Sequence, residues 1–165
     1  MRAALLVIDM QKHYAFASEE KKKIALSVVP CINSVIELFR SKELPIICIQ
    51  HMDKEEGVVP GTDKFENIEQ LGIAANDIHI IKTYGNAFNK TNLAETLQAL
   101  DVDTVILTGY CAEYCVLSTY RGAEDMDLLP IIVRNAIASG NMEHIRFVEN
   151  INEVISLGAL KAALS

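Results

Sequence analysis

Positive charge is scarce in this sequence: fifteen Lys and Arg against twenty-two Asp and Glu leave a net charge of −7. No stretch interleaves basic residues with aromatics, so the electrostatic footprint of a nucleic-acid or anionic-membrane partner is missing. Also missing is an apolar segment judged long enough to span a bilayer, and the apolar start MRAALLVI is too short for a signal peptide and is broken at Asp9. A cytoplasmic location is the expectation. The four cysteines (Cys31, Cys48, Cys111, Cys115) fall inside expected helices and strands, not in a loop framework, which fits reduced thiols. Cys111 and Cys115 have no second Cys/His pair that would complete a zinc site, and their spacing is not C-x-x-C. No repeat, low-complexity tract or linker divides the chain. Its 165 residues, half of them apolar, are expected to form one domain over 1–165 with a sizeable core.

What is present is alternation. Short runs rich in Val and Ile (Ala3–Ile8, Ile46–Ile49, Ile78–Ile81, Val105–Leu107, Ile131–Val133 and a weaker one near Val154–Ser156) are separated by helical patterns. Those patterns lie at about Lys23–Arg40, Asn92–Leu100, Tyr114–Asp125 and Glu143–Asn150, with a last short helix after Gly158. Runs that are continuously apolar, not alternating, predict strands buried on both faces. The fold class is therefore α/β: a single doubly wound domain with a mostly parallel sheet of about six strands and helices on both faces. Glu55–Leu71 is the one long irregular stretch, a candidate lid or binding loop. Lys21–Lys23 reads as a solvated face at the start of the first long helix.

Ligands of open α/β sheets bind beyond the carboxyl ends of the strands, so polar residues placed there are the ones to collect. Strand one ends at Asp9 and strand three at Lys82. Strand four leads through Gly109, which permits a sharp turn, to Cys115, where Val116, Leu117, Tyr120, Ala123 and Met126 recur at helical spacing. A thiol at a helix start is expected to favour the thiolate. Taken singly, Asp9 and Lys82 read more readily as an ion pair closing the sheet, or Asp9 as the cap of a following helix, and Cys115 as a small core residue. Together they make a nucleophile, a proton acceptor and a cation in one crevice.

These residues resemble a known family, the isochorismatase-like cysteine hydrolases, which include nicotinamidases, N-carbamoylsarcosine amidase and ureidoacrylate- and biuret-type amidohydrolases. The resemblance rests on Leu5–Gln11 with its D-x-Q, on IICIQHMDKEEGVVPG at Ile46–Gly61, on KTYGNAFNKTNLAETL at Lys82–Leu97, and on the cysteine turn at Gly109–Thr119. It implies an Asp9, Lys82, Cys115 triad and hydrolysis of a small amide or ureide C–N bond through a thioester. It also implies an oxyanion hole from the Cys111 and Cys115 N–H groups, a cis Tyr110–Cys111 peptide and a homo-oligomer, dimer or larger. Gln11, Tyr14, Tyr84, Phe88 and Tyr110 are the expected pocket wall. Three departures stand out: Cys111-Ala112-Glu113 where Ala-Thr-Asp or Ala-Thr-Asn is usual, Asn135-Ala136 for Asp-Ala, and His51-Met52-Asp53 where nicotinamidases carry metal ligands. No cofactor or metal is therefore expected, and His51 is expected to line the crevice or to hydrogen-bond within the loop that follows. With no Arg cluster at the strand ends, a small neutral or singly charged substrate is expected over a phosphorylated one. Two alternatives stay open: a non-catalytic binding or structural member of the fold, and a redox-responsive Cys111/Cys115 pair.

Overall fold

A computed structural model describes all residues, Met1–Ser165. Six strands, β1 (Ala3–Ile8), β2 (Ile46–His51), β3 (Ile78–Lys82), β4 (Thr104–Tyr110), β5 (Leu129–Ala138) and β6 (Val154–Ile155), form one sheet in the order β3-β2-β1-β4-β5-β6. Every pairing is parallel. The strand alternation of β1 divides the core in two. Ala3, Leu5 and Val7 join one apolar cluster with α2 (Glu19–Ser41) and α6 (Leu157–Ala163). Ala4, Leu6 and Ile8 join the other, with α3 (Leu93–Ala99), α4 (Leu117–Asp125) and α5 (Met142–Asn150). Helices thus cover both faces, as continuous apolarity in β1, β2 and β4 requires.

Helix α2 is the long cover of the first face. Ser18 caps it, its Oγ accepting the Lys21 N–H at 3.2 Å, and Ala25, Val28, Val29, Ile32, Val35, Ile36 and Phe39 form its buried stripe. Each larger side chain in that stripe stabilises the fold by about 1.5–3 kcal/mol through burial. The expectation that no segment is long enough to span a bilayer needs correcting: this 23-residue helix is long and apolar enough by length and composition. Here its apolar stripe packs on the sheet.

Two further expectations change. Ile78–Ile81 was read as buried on both faces, yet β3 is an edge strand and leaves Ile81 exposed. The stretch Tyr114–Asp125 is not one α-helix: a π-helical turn over Ala112–Val116 precedes α4. A short α1 (Lys12–Ala15) after β1 also lies outside the sequence expectations. The irregular stretch after β2 is fastened down, since Glu66 and Lys64 carbonyls accept the Lys12 and His13 amides and Phe65, Ile68 and Leu71 are buried.

Candidate active site

The chain leaves β1 towards β2 and leaves β4 towards β5, so the carboxyl ends of β1 and β4 border the topological switch point. Asp9 stands at the end of β1 with φ +48°, a left-handed conformation that Asp tolerates better than most residues. Its amide still donates to Ile49 O at 2.9 Å, so the carboxylate is carried on a fixed backbone and is almost wholly buried. Lys82 ends β3, two interstrand spacings or about 10 Å from β1. Its side chain crosses over the end of β2 to place Nζ 2.9 Å from Asp9 Oδ2 and 2.9 Å from His51 Nδ1. Tyr84 O accepts at 3.0 Å, and Cys115 Sγ lies at 3.4 Å. Three ammonium protons thus face four acceptors, and the thiol is the most distant of them.

This arrangement fixes the state of His51. An ammonium has no lone pair, so Nδ1 accepts from Lys82 and a neutral ring carries its proton on Nε2. Burial and then the Lys82 charge hold His51 below its ordinary range, which keeps the ring neutral. Asp9 has the opposite property. With Oδ2 committed to Lys82, Oδ1 is buried and makes no hydrogen bond of ordinary geometry.

Gly109 brings β4, the strand that leads to Cys115, to this place. At φ +115° a Cβ here would lie 2.1 Å from Ile8 O, so only glycine lets β4 approach the end of β1. The Tyr110–Cys111 peptide is cis, as the resemblance implied. The π-helical turn follows, with the Tyr114 and Val116 amides both donating to Cys111 O. Cys115 therefore sits inside a π-turn, not at the first residue of an α-helix. The expected preference for thiolate is overturned: burial, and next the Asp9 charge, push its thiol up to about 12 against the smaller opposing pull of Lys82. At rest the group is a thiol, its sulfur and an Asp9 carboxylate oxygen lying within 4.8 Å of each other.

A cavity of about 350 Å³ opens over these groups. Asp9, His51, Tyr14, Tyr110, Cys111 and Cys115 line it, and so do Asp53, Glu56, Glu113, Tyr114, Lys21 and Gly140. Three of the residues expected in the wall are elsewhere. Gln11 is fully buried with both ends of its amide used: Nε2 donates to His51 O and Phe65 O, and Oε1 accepts from His51 N at 2.7 Å. It ties β1 to β2 and to the following loop. Phe88 packs in the second apolar cluster. Tyr84 is exposed under Lys90, whose Nζ lies 3.0 Å from its hydroxyl, and only its carbonyl serves the site.

The altered turn acquires its own support. Cys111 Sγ donates to Glu113 Oε2 at 3.0 Å, and Glu113 Oε1 accepts from Ser139 Oγ at 2.9 Å and pairs with His144 Nδ1 at 2.8 Å. Burial works against ionised Glu113, but these hydrogen bonds outweigh it and hold the carboxyl below its ordinary value. Burial and Glu113 push the Cys111 thiol up to about 12. Glu113 therefore fastens the π-turn to Ser139 after the end of β5 and to His144 on α5. Cys111 and Cys115 are both free thiols.

One group of metal-ligating atoms converges here, those of Asp9, His51 and Cys115, all within 4.8 Å of one another. The sequence offered no such trio. Yet the Lys82 ammonium already contacts all three residues, so a divalent ion would have to displace a buried cation, and the donor set does not fit one.

The sequence profile of the isochorismatase domain matches residues 3–156. A protein of Arabidopsis thaliana named a probable inactive nicotinamidase is 27% identical over 161 residues, covering 85% of this chain and 82% of that protein. The crystal structure of an isochorismatase-like hydrolase from Alkaliphilus metalliredigens superimposes with TM-score 0.90 over 100% of both chains at 23% identity, a likeness of fold. The N-carbamoylsarcosine amidase of Thermoplasma acidophilum superimposes with TM-score 0.80 at 27% identity, over 94% of this chain and 96% of that one.

Proposed function

This chain belongs to the isochorismatase family, and from that premise we propose that it is a cysteine hydrolase of small amides or ureides. The observation that supports this most is the meeting of Asp9, Lys82 and Cys115 under one cavity, with a free carboxylate oxygen beside a protonated thiol. Asp9 takes the Cys115 proton as sulfur attacks the substrate carbonyl carbon. Lys82, whose bond to the thiol is its longest, follows the charge onto the thiolate. The tetrahedral oxyanion is held by the backbone N–H groups of Cys111 and Cys115, each such donor being worth about 3 kcal/mol. The C–N bond breaks, the amine leaves with the proton from Asp9, and a thioester remains on Cys115. Asp9 then deprotonates a water that attacks the thioester, and the thiol regains its proton. No step uses a metal.

The same reading gives a small-molecule partner, no nucleic acid or membrane, a cytoplasmic setting and a homo-oligomer. The test is ammonia release from a panel of small amides and ureides, with intact mass read for an acyl adduct on Cys115. Release that survives EDTA and is lost in Cys115→Ala supports the reading. Silence across the panel moves the chain to the binding or structural alternative, in keeping with the probable inactive relative.

A further inference from the structure

Lys21 was expected to face solvent as part of a charge run. It is half-buried instead and lines the cavity that holds the triad. Its stem lies across Gly140: a Cβ at that residue would fall 3.1 Å from Lys21 Cε, 3.6 Å from Cγ and 3.9 Å from Cδ. A side chain at 140 would push the stem off this path. The backbone of Lys21 is fixed as well, since its amide donates to the capping Ser18 Oγ. The stem is thus guided into the cavity by a helix cap at one end and a bare glycine along its length.

The ammonium at its end has no ion pair and no hydrogen bond within the protein, although carboxylates share the cavity. None of these pairs with it, and each has a partner elsewhere, Asp9 through Oδ2 alone. Asp9 is bound to Lys82, Glu113 takes Cys111, Ser139 and His144, Glu56 pairs with His13 at 2.7 Å, and Asp53 Oδ1 accepts the Glu55 and Glu56 amides. Lys82, the other cation, is saturated. Lys21 therefore holds the one uncommitted positive charge facing the cavity, surrounded by groups that would repel a second negative charge on the ligand.

We propose that Lys21 is a specificity-determining residue, its ammonium binding a single carboxylate carried by the substrate away from the scissile carbonyl. This rests on the amide-hydrolase reading and narrows it to amides or ureides with one carboxylate. The remaining carboxylates in the wall exclude polyanions.

The test uses malonamate, succinamate and glutaramate, each paired with the neutral amide in which an isopropyl group replaces the carboxylate. Calorimetric titration of Cys115→Ala protein measures binding without turnover. The expected result is that at least one acid binds about tenfold more tightly than its neutral counterpart. Adding Lys21→Met removes that preference without weakening the neutral amide, and Lys21→Arg retains it. Absence of preference in all three pairs, or a preference that survives Lys21→Met, overturns the proposal. Ammonia release by the wild-type protein from the neutral amides separates the two readings. Release without carboxylate preference leaves the hydrolase standing and removes Lys21; a Lys21-dependent preference without release from any amide does the reverse.

Discussion

Cys111 and Cys115 lie one π-turn apart, each beside a carboxylate, and in both burial is the first cause of a thiol pushed up to about 12. Their carboxylates differ. Glu113 is satisfied by three donors, whereas Asp9 gives one oxygen to Lys82 and leaves the other without a partner. A satisfied carboxylate fixes geometry, and one with a free buried oxygen can receive a proton. The second difference is the cation: Cys115 has a buried ammonium 3.4 Å away, and Cys111 has none among its partners. A raised thiol pKa therefore does not distinguish the two cysteines; their neighbours' spare hydrogen-bonding capacity does, and the proposed hydrolase reading assigns the reactive role to Cys115 on that ground.

The largest expected effect breaks that symmetry directly. Cys115→Ala lowers kcat for ammonia release by about 10⁴-fold or more. Cys111→Ala stays within about tenfold, because the N–H assigned to the oxyanion belongs to the backbone and survives the change. Equal losses in the two variants would refute the division of labour between the thiols.

The carboxylates come next. Asp9→Asn lowers kcat by about 10³-fold, in the range of a lost general acid–base group. Glu113→Gln costs about tenfold or less, since it loosens the turn without removing a proton acceptor. Both are read as kcat on the same amide, with circular dichroism confirming the fold.

A third expectation separates reactivity from catalysis. In the wild-type protein the Cys115 thiol is raised first by burial and then by the Asp9 charge, and Lys82 opposes this. Its alkylation by iodoacetamide is therefore slow at neutral pH and climbs with pH towards about 12. Asp9→Asn removes an anion and leaves the cation, so the thiol pKa falls and Cys115 alkylates faster at pH 7 by about tenfold, while turnover is lost. Mapping the adduct by mass spectrometry checks the site. Unchanged or slower labelling would mean that Asp9 does not set the protonation of Cys115.

Much of this was legible in sequence order, for definite reasons. β1 shows as an unbroken apolar run because both of its faces are covered, and Asp9 shows because it interrupts that run at the sheet's ligand-binding end. β3 reads alike in composition, yet its place at the edge depends on strand order, which no local run encodes. The π-turn was missed because Val116, Tyr120 and Ala123 keep helical spacing after the extra residue is absorbed upstream of them. Gln11 was misplaced because its partners are the His51 backbone and Phe65 O, contacts that form only when β2 and the following loop close over it. Lys21 was misread because the glycine that guides its stem follows the end of β5, far along the chain.

The smallest expected effect tests Glu113 as a fastening group. Its carboxyl lies below the ordinary value of 4.5 because the hydrogen bonds from Cys111, His144 and Ser139 outweigh the opposing effect of burial. A depressed folded-state value means that its contribution to stability is fully present above the unfolded value, near 4.5, and is lost as pH falls through the lower folded value. Glu113 is partly exposed and sits at a rim, so solvent screens it and the contribution is modest. Glu113→Gln should lower Tm at pH 7 by about 2 °C, a change suited to a loss of well under 1 kcal/mol in a chain of this size. As pH falls through that lower folded value the wild-type carboxyl protonates and the gap between the two proteins should narrow. Thermal melts of both proteins from pH 3 to 7 measure that gap. A difference that stays constant through the acid range would mean that the charge on Glu113 is not what fastens the turn, and that the shape of its side chain does so.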